Sequence, residues 1–268
     1  MDPDREGRPQ KPGMYADRHG TGAARRRFAA RSVSDGVIQA EMEDEMHHFR
    51  IELIHDGERV LDVTGTPVRW PWSTCFDSPA ALVALRGCPL TAQASSIGAY
   101  TNVKEQCTHQ FDLTAFAIAQ AWRVTHGAPP EREYLTVVPD WSSPPFGAYL
   151  WRDRQPLLTW LTDGVTVLGP APFTGVALRK RFLDWCEANL DADLAEAAQM
   201  LRRAVWISPA RTHDLEACAD AQESNVGAGV CYTAQPQRIV IATRSRGSLR
   251  DYSNTPLGLH QDSSTVGP

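Results

Sequence analysis

The chain has 268 residues, of which 42% are hydrophobic and 22% charged, and it carries a net charge of −5. That is enough for one large domain with an appendage, gives no case for a nucleic-acid partner, and leaves no apolar run near the roughly 20 residues that span a bilayer. Six cysteines without a dense framework suit a reducing cytoplasm, as free thiols or a metal site, and the polar first 30 residues lack the apolar stretch of a secretory signal.

Residues 1–34 read as a disordered, arginine-rich arm, with many charged and small residues and little apolar periodicity. The arm holds eight Lys and Arg against four Asp and Glu, so it is +4 and leaves −9 on the rest. Its Arg25-Arg26-Arg27 run reads best as a solvated start to the domain. A single α+β domain is expected over residues 35–252 and a flexible tail over 253–268. Phe49, Ile51 and Leu53 alternate with Arg50 and Glu52, which predicts a strand with one buried face. His55-Asp56-Gly57-Glu58 is a turn signal, and Val60 onward toward Trp70 is the return strand. Residues 79–85 predict a short helix with Pro79 in its first turn and Gly87 as its stop. Residues 105–125 predict a long helix, apolar nearly all round and therefore central and buried.

Four short runs follow at residues 134–138, 148–151, 157–160 and 165–168, with turn residues between them, and predict an antiparallel meander. Residues 176–189 and 193–206 predict two helices, with Asp191 or Asp193 capping the second. Cys231-Tyr232 and residues 239–242 suggest one more hairpin. The resulting fold class is α+β: antiparallel β segments packed around a central buried helix, with further C-terminal helices.

The chemistry concentrates at Cys107-Thr108-His109, where the long helix begins. Helix N-termini favour thiolate, which is both a nucleophile and a metal ligand. Residues two apart inside a helix diverge by about 200°, so Cys107 and His109 converge only if Cys107 lies in the preceding turn. Asp112, three residues on, is placed to orient the His109 imidazole. Cys75 also precedes a helix, after Trp70-Pro71-Trp72, a rigid aromatic wall suited to a flat apolar ligand. Cys75, Cys107 and His109 are thus candidate ligands for zinc or iron, completed by a further His or Asp. His47 is in phase with Phe49, Ile51 and Leu53 and should face inward, while His48 faces the other side. Either serves as a ligand or a general base, with Asp44 and Glu45 just before them. Arg246 and Arg250 are candidates for holding a carboxylate or phosphate. Each residue also has a bland reading: Cys107 on the apolar stripe with Phe111 and Ile118, the tryptophans and an inward histidine in the core, the arginines in ion pairs.

The chain resembles an uncharacterised bacterial domain-of-unknown-function family over about residues 20–253. The likeness rests on Met46-His47-His48-Phe49, the segment Arg69-Trp70-Pro71-Trp72-Ser73-Thr74-Cys75, and Cys107-Thr108-His109-Gln110-Phe111-Asp112-Leu113. It also rests on Ala204-Val205-Trp206-Ile207-Ser208, Cys231-Tyr232 and Arg246-Gly247-Ser248-Leu249-Arg250-Asp251-Tyr252. The resemblance implies a role in bacterial catabolism of aromatic compounds. The layout of strand, Asp-Gly turn, strand, Cys75 and Cys107 is also similar in topology to iron–sulfur cluster scaffold proteins. Asp44, His47 or His48 stands here where that family has its first cysteine, and Trp-Pro-Trp replaces its glycine-rich surround. The expectation is a metal-dependent lyase or hydrolase acting on a small molecule, aromatic ones included. The catalytic residues would be His47, His48 and Asp112, with Trp70, Trp72, Arg246 and Arg250 binding substrate. The alternative is a non-catalytic metal or iron–sulfur carrier.

Overall fold

The computed structural model describes residues 22–140, 143–224, 227 and 229–253. Alternation along the chain builds its sheet. In β1 (Ala23–Ser34) Arg26, Phe28 and Ala30 are buried while Arg25, Arg27 and Arg31 point the other way. β2 (Val37–Glu43), β3 (His48–His55) and β4 (Val60–Arg69) continue the pattern, with Ile38, Ala40, Met42, Phe49, Ile51 and Leu53 on the buried face. β5 (Glu131–Pro139), β6 (Phe146–Arg152), β7 (Gln155–Thr162) and β8 (Val167–Gly169) form the predicted meander.

All eight strands belong to one antiparallel sheet in the order β4-β3-β2-β1-β5-β6-β7-β8. This overturns the expected α+β arrangement of β segments around a central helix. The two strand groups are one continuous sheet because β1 pairs with β2 on one side and β5 on the other, Phe28 lying between Met42 and Tyr134. The 1–34 arm is corrected with it: residues 23–34 are the strand at the middle of the sheet, and residues 1–21 lie outside the described residues. Most of the expected tail, 254–268, lies outside them too.

The long helix α1 (Thr108–Thr125) lies on one face of β1–β4. It is apolar nearly all round because it packs on the sheet beneath and on the 3-10 segment Ala94–Tyr100 beside it, and Gln110 donates to Ser78 Oγ of the 3-10 segment Ser73–Leu85 at 2.6 Å. Phe116 is wholly buried, edge-on to Phe28 at 6.2 Å and tilted against Tyr134 at 5.6 Å. Gly65 of β4 allows the close approach: a Cβ there would sit 2.6 Å from Gln110 Oε1 and 2.9 Å from Pro79 Cβ. The helix expected at 79–85 is the end of the longer 3-10 segment.

α2 (Phe182–Asn189) is shorter than expected, and α3 (Ala192–Ile207), capped by Asp191 accepting from Leu194 N–H, covers β5–β7. Arg123 of α1 joins the helices by donating to Glu196 Oε1 at 2.6 Å and Asp193 Oδ1 at 3.0 Å. The hairpin expected near residue 240 is replaced by a short helix, α4 (Pro236–Ile239), since Pro236 lacks the ladder N–H and is preset for a helix start. The chain then runs back along residues 71–73, where Ser73 N–H donates to Thr243 O and Ser245 N–H to Pro71 O. Among the described residues, no helix is long and apolar enough to cross a membrane.

Candidate functional site

A cavity of about 420 Å³ opens at the sheet end where β1 begins, β2 turns into β3 and α1 starts. The size suits a small-molecule site. The turn is built by Asp44. Its N–H donates to His47 O, and its Oδ1 accepts from Met46 N–H at 2.9 Å and His47 N–H at 2.8 Å. The same oxygen lies 3.0 Å from His47 Nδ1. His109 enters from the first turn of α1, stacks on His47 at 3.8 Å between centroids, and brings Nε2 to 3.8 Å from Asp44 Oδ2.

Oδ1 is explained by the turn; Oδ2 is not. It is buried without a hydrogen-bond partner, and its nearest cation is Arg26, whose Nε is 3.6 Å away. Burial pushes Asp44 toward the neutral acid, but the His47 ring and its hydrogen bond, with His109 and Arg26, outweigh burial and hold it well below the usual carboxylate range. Burial, then His47 and Arg26, keep His109 neutral, the form in which imidazole ligates a metal. Glu45 also faces the cavity and is pushed up to about 8 by burial and the Asp44 charge.

The cavity also gathers Cys75, Cys107 and Trp72. The expected Cys75, Cys107, His109 ligand set does not converge. Among the described residues, the group with its ligand atoms all within 4.8 Å of one another is Asp44, His47 and His109, without a cysteine. Cys75 Sγ instead faces Thr233 Oγ1 at 3.2 Å. Burial, with the Cys107 thiol nearby, pushes Cys75 up to about 12, and burial pushes Cys107 up to about 11, so both stay protonated. Cys107 does lie just ahead of α1, at its N-cap. Asp112 does not orient His109: it makes a two-pronged pair with Arg203, Nε to Oδ2 at 2.8 Å and Nη2 to Oδ1 at 3.2 Å.

His48, Trp70, Arg246 and Arg250 lie elsewhere, in an open cleft of about 320 Å³ with Arg50 and Arg69. His48 is beside Glu41, and Trp70 packs on Phe76 at 5.4 Å. Arg246 donates to Glu216 O, and Arg250 to the carbonyls of Gly247 and Leu249. The proposed substrate-binding residues therefore divide: Trp70 shares the cleft with Arg246 and Arg250, and Trp72 belongs to the cavity. Arg26 is not among the expected site residues, because the three consecutive arginines read as an arm. Its signal was a charged residue in phase with Phe28 and Ala30.

No family model and no curated protein matches this chain. Among solved structures, it is similar to a chain in the crystal structure of TNF alpha complexed with a poxvirus MHC-related TNF binding protein. The identity is 12%, over 68% of this chain and 56% of that one, with a TM-score of 0.24. A likeness of that size carries no argument about this chain.

Proposed function

We propose that the cavity is the active site of a metal-dependent cytoplasmic enzyme of the lyase or hydrolase type, acting on a small molecule, aromatic ones included, since Trp72 and Tyr232 line the wall. The observation that carries this reading is the juxtaposition of two imidazoles and a buried carboxylate oxygen that has no hydrogen-bond partner. The donor set fits the proposed ion: two nitrogens and one carboxylate suit zinc or iron(II). Asp44, His47 and His109 would hold the ion, which when bound would polarise a substrate oxygen or activate water. Asp44 fixes the turn and, through Oδ1, the orientation of His47. The neutral His109 keeps a lone pair for ligation or for accepting a proton. Asp44 is buried and the two histidines are only partly exposed inside the cavity; this favours an enzyme over a carrier, which must present its ligands to a partner. The protonated state of Cys107 argues against a cysteine nucleophile.

The test is the metal content of untagged protein, purified without chelators and anaerobically, beside Asp44→Asn and His109→Ala. Near-stoichiometric zinc or iron, lost in both variants while circular dichroism is unchanged, is the expected result. A metal-free wild type would sink the reading.

A further inference from the structure

We infer that Arg26 anchors a carboxylate of the cavity's ligand, so that the molecules bound there are small organic acids with an apolar body. The inference rests on the cavity being a small-molecule site and deepens that reading. Arg26 is 3% exposed, yet its Nε and Nη2 have no hydrogen-bond partner. A guanidinium buried without hydrogen bonds is costly, and native structures satisfy such groups or reserve them for a ligand. Its compensating charge, Asp44, approaches only to 3.6 Å, and that carboxylate is shared with two histidines. The guanidinium lies over the Phe28 ring at 4.8 Å, which fixes its plane. Nε and Nη2 form the planar edge that takes a carboxylate two-pronged.

Charge supports the same class. A dication on Asp44, His47 and His109 would stand beside Arg26, and Asp44 alone cannot balance both. An organic anion adds the missing negative charge, so acid and metal should each strengthen the other's binding. Around this polar end the walls include Trp72 and Leu215, which are buried and apolar, so the remainder of the ligand is apolar.

The experiment uses acetate, benzoate and 3-phenylpropionate as probes, with benzamide as the neutral match for benzoate, in calorimetric titrations of chelator-treated full-length protein. At least one acid is expected to bind wild type, benzamide at least about tenfold more weakly than benzoate where benzoate binds, and Arg26→Gln to lose the acid by a similar factor. Arg26→Lys, which keeps the charge, guards against a folding defect and is expected to bind the acid with intermediate affinity. Acid binding that survives His109→Ala separates this inference from the metal reading. If metal is bound but no acid binds, or benzoate and benzamide bind alike, Arg26 merely closes on Asp44 and the inference is overturned while the metal reading stands. If acids bind to a protein that never takes up metal, the metal reading fails and this one holds.

Discussion

His47 and His48 are neighbours in sequence and belong to two different worlds. His47 faces the helix-covered side of the sheet, a cavity where Arg26 Nε and Nη2 and Asp44 Oδ2 remain without hydrogen bonds. His48 faces the other side, an open cleft where the buried charges are satisfied. Arg69 there donates to the carbonyls of Glu45, Asp44 and Ser248 and to Glu43 Oε1, all within 2.9 Å, and Tyr252 also donates to Glu43. The strand period of two puts adjacent residues in these opposite environments. The saturated Arg69 holds the cleft side together, whereas Arg26 and Asp44 keep unpartnered atoms at the wall of a cavity.

The largest effect that sharpens this contrast is expected from Arg69→Ala. It leaves the Glu43 carboxylate buried without its cation and should cost about 3–5 kcal/mol in urea denaturation. An Arg69→Ala protein of wild-type stability would break the claim that the cleft side is structural. Gly65→Ala acts from the helix side, wedging a methyl against Gln110 and Pro79. It should cost about 1–3 kcal/mol in the same assay, since neither neighbour is free to retreat.

The histidines themselves give the direct comparison. His47→Gln should weaken zinc binding by about tenfold or more in a competition titration, and His48→Gln should leave it within about twofold. Equal losses would erase the distinction between the faces. A smaller effect concerns the thiols. With Cys75 pushed up to about 12 and Cys107 to about 11 by burial, iodoacetamide at pH 8 should leave both unmodified in folded protein and label them once it is unfolded. Rapid labelling of either would restore a nucleophilic role.

The smallest effect tests the place where the two regions meet. Arg211 lines the cavity and pairs with Asp140 at 2.8 Å and with Asp251, on the returning C-terminal segment, at 3.0 Å. Hydrogen bonds from Ser253, with Arg211, lower Asp251 from 3.8 to about 2. A depressed acid stabilises the fold above its ordinary value and loses that contribution as pH falls toward the lowered one. Asp251→Asn should therefore flatten the fall in stability between about pH 4 and pH 2, and an unchanged acid limb would remove Asp251 as a tie on the returning segment.

The sequence made β3, the meander and α1 legible, through alternation in β3, short apolar runs between turn residues in the meander and a long apolar helix bounded by Gly127, and the Asp-Gly turn marked β4 as the return strand. It hid β1, where three consecutive arginines obscure the alternation and only Phe28 and Ala30 mark the inner face. It also hid the pairing of β1 with β5, a contact across more than a hundred residues that no local pattern encodes. For the site, His47 and His109 were legible from position relative to a strand and a helix. Asp44 was noted only as one option among several, since a carboxylate that builds a turn looks the same in sequence as one that serves a ligand. The role expected of Asp112 fails because helical spacing from His109 gives no view of Arg203 on a different helix.

The central place of β1 also governs how the molecule can be cut and assembled. Its two neighbours lie far apart in the chain, β2 close by and β5 about a hundred residues on. A version beginning after Ser34 would leave β2 and β5 each with an open row of N–H and C=O groups, two templates for pairing with other chains. Such a truncation should aggregate rather than yield a smaller soluble core, and supplying the missing strand as a separate peptide should rescue it.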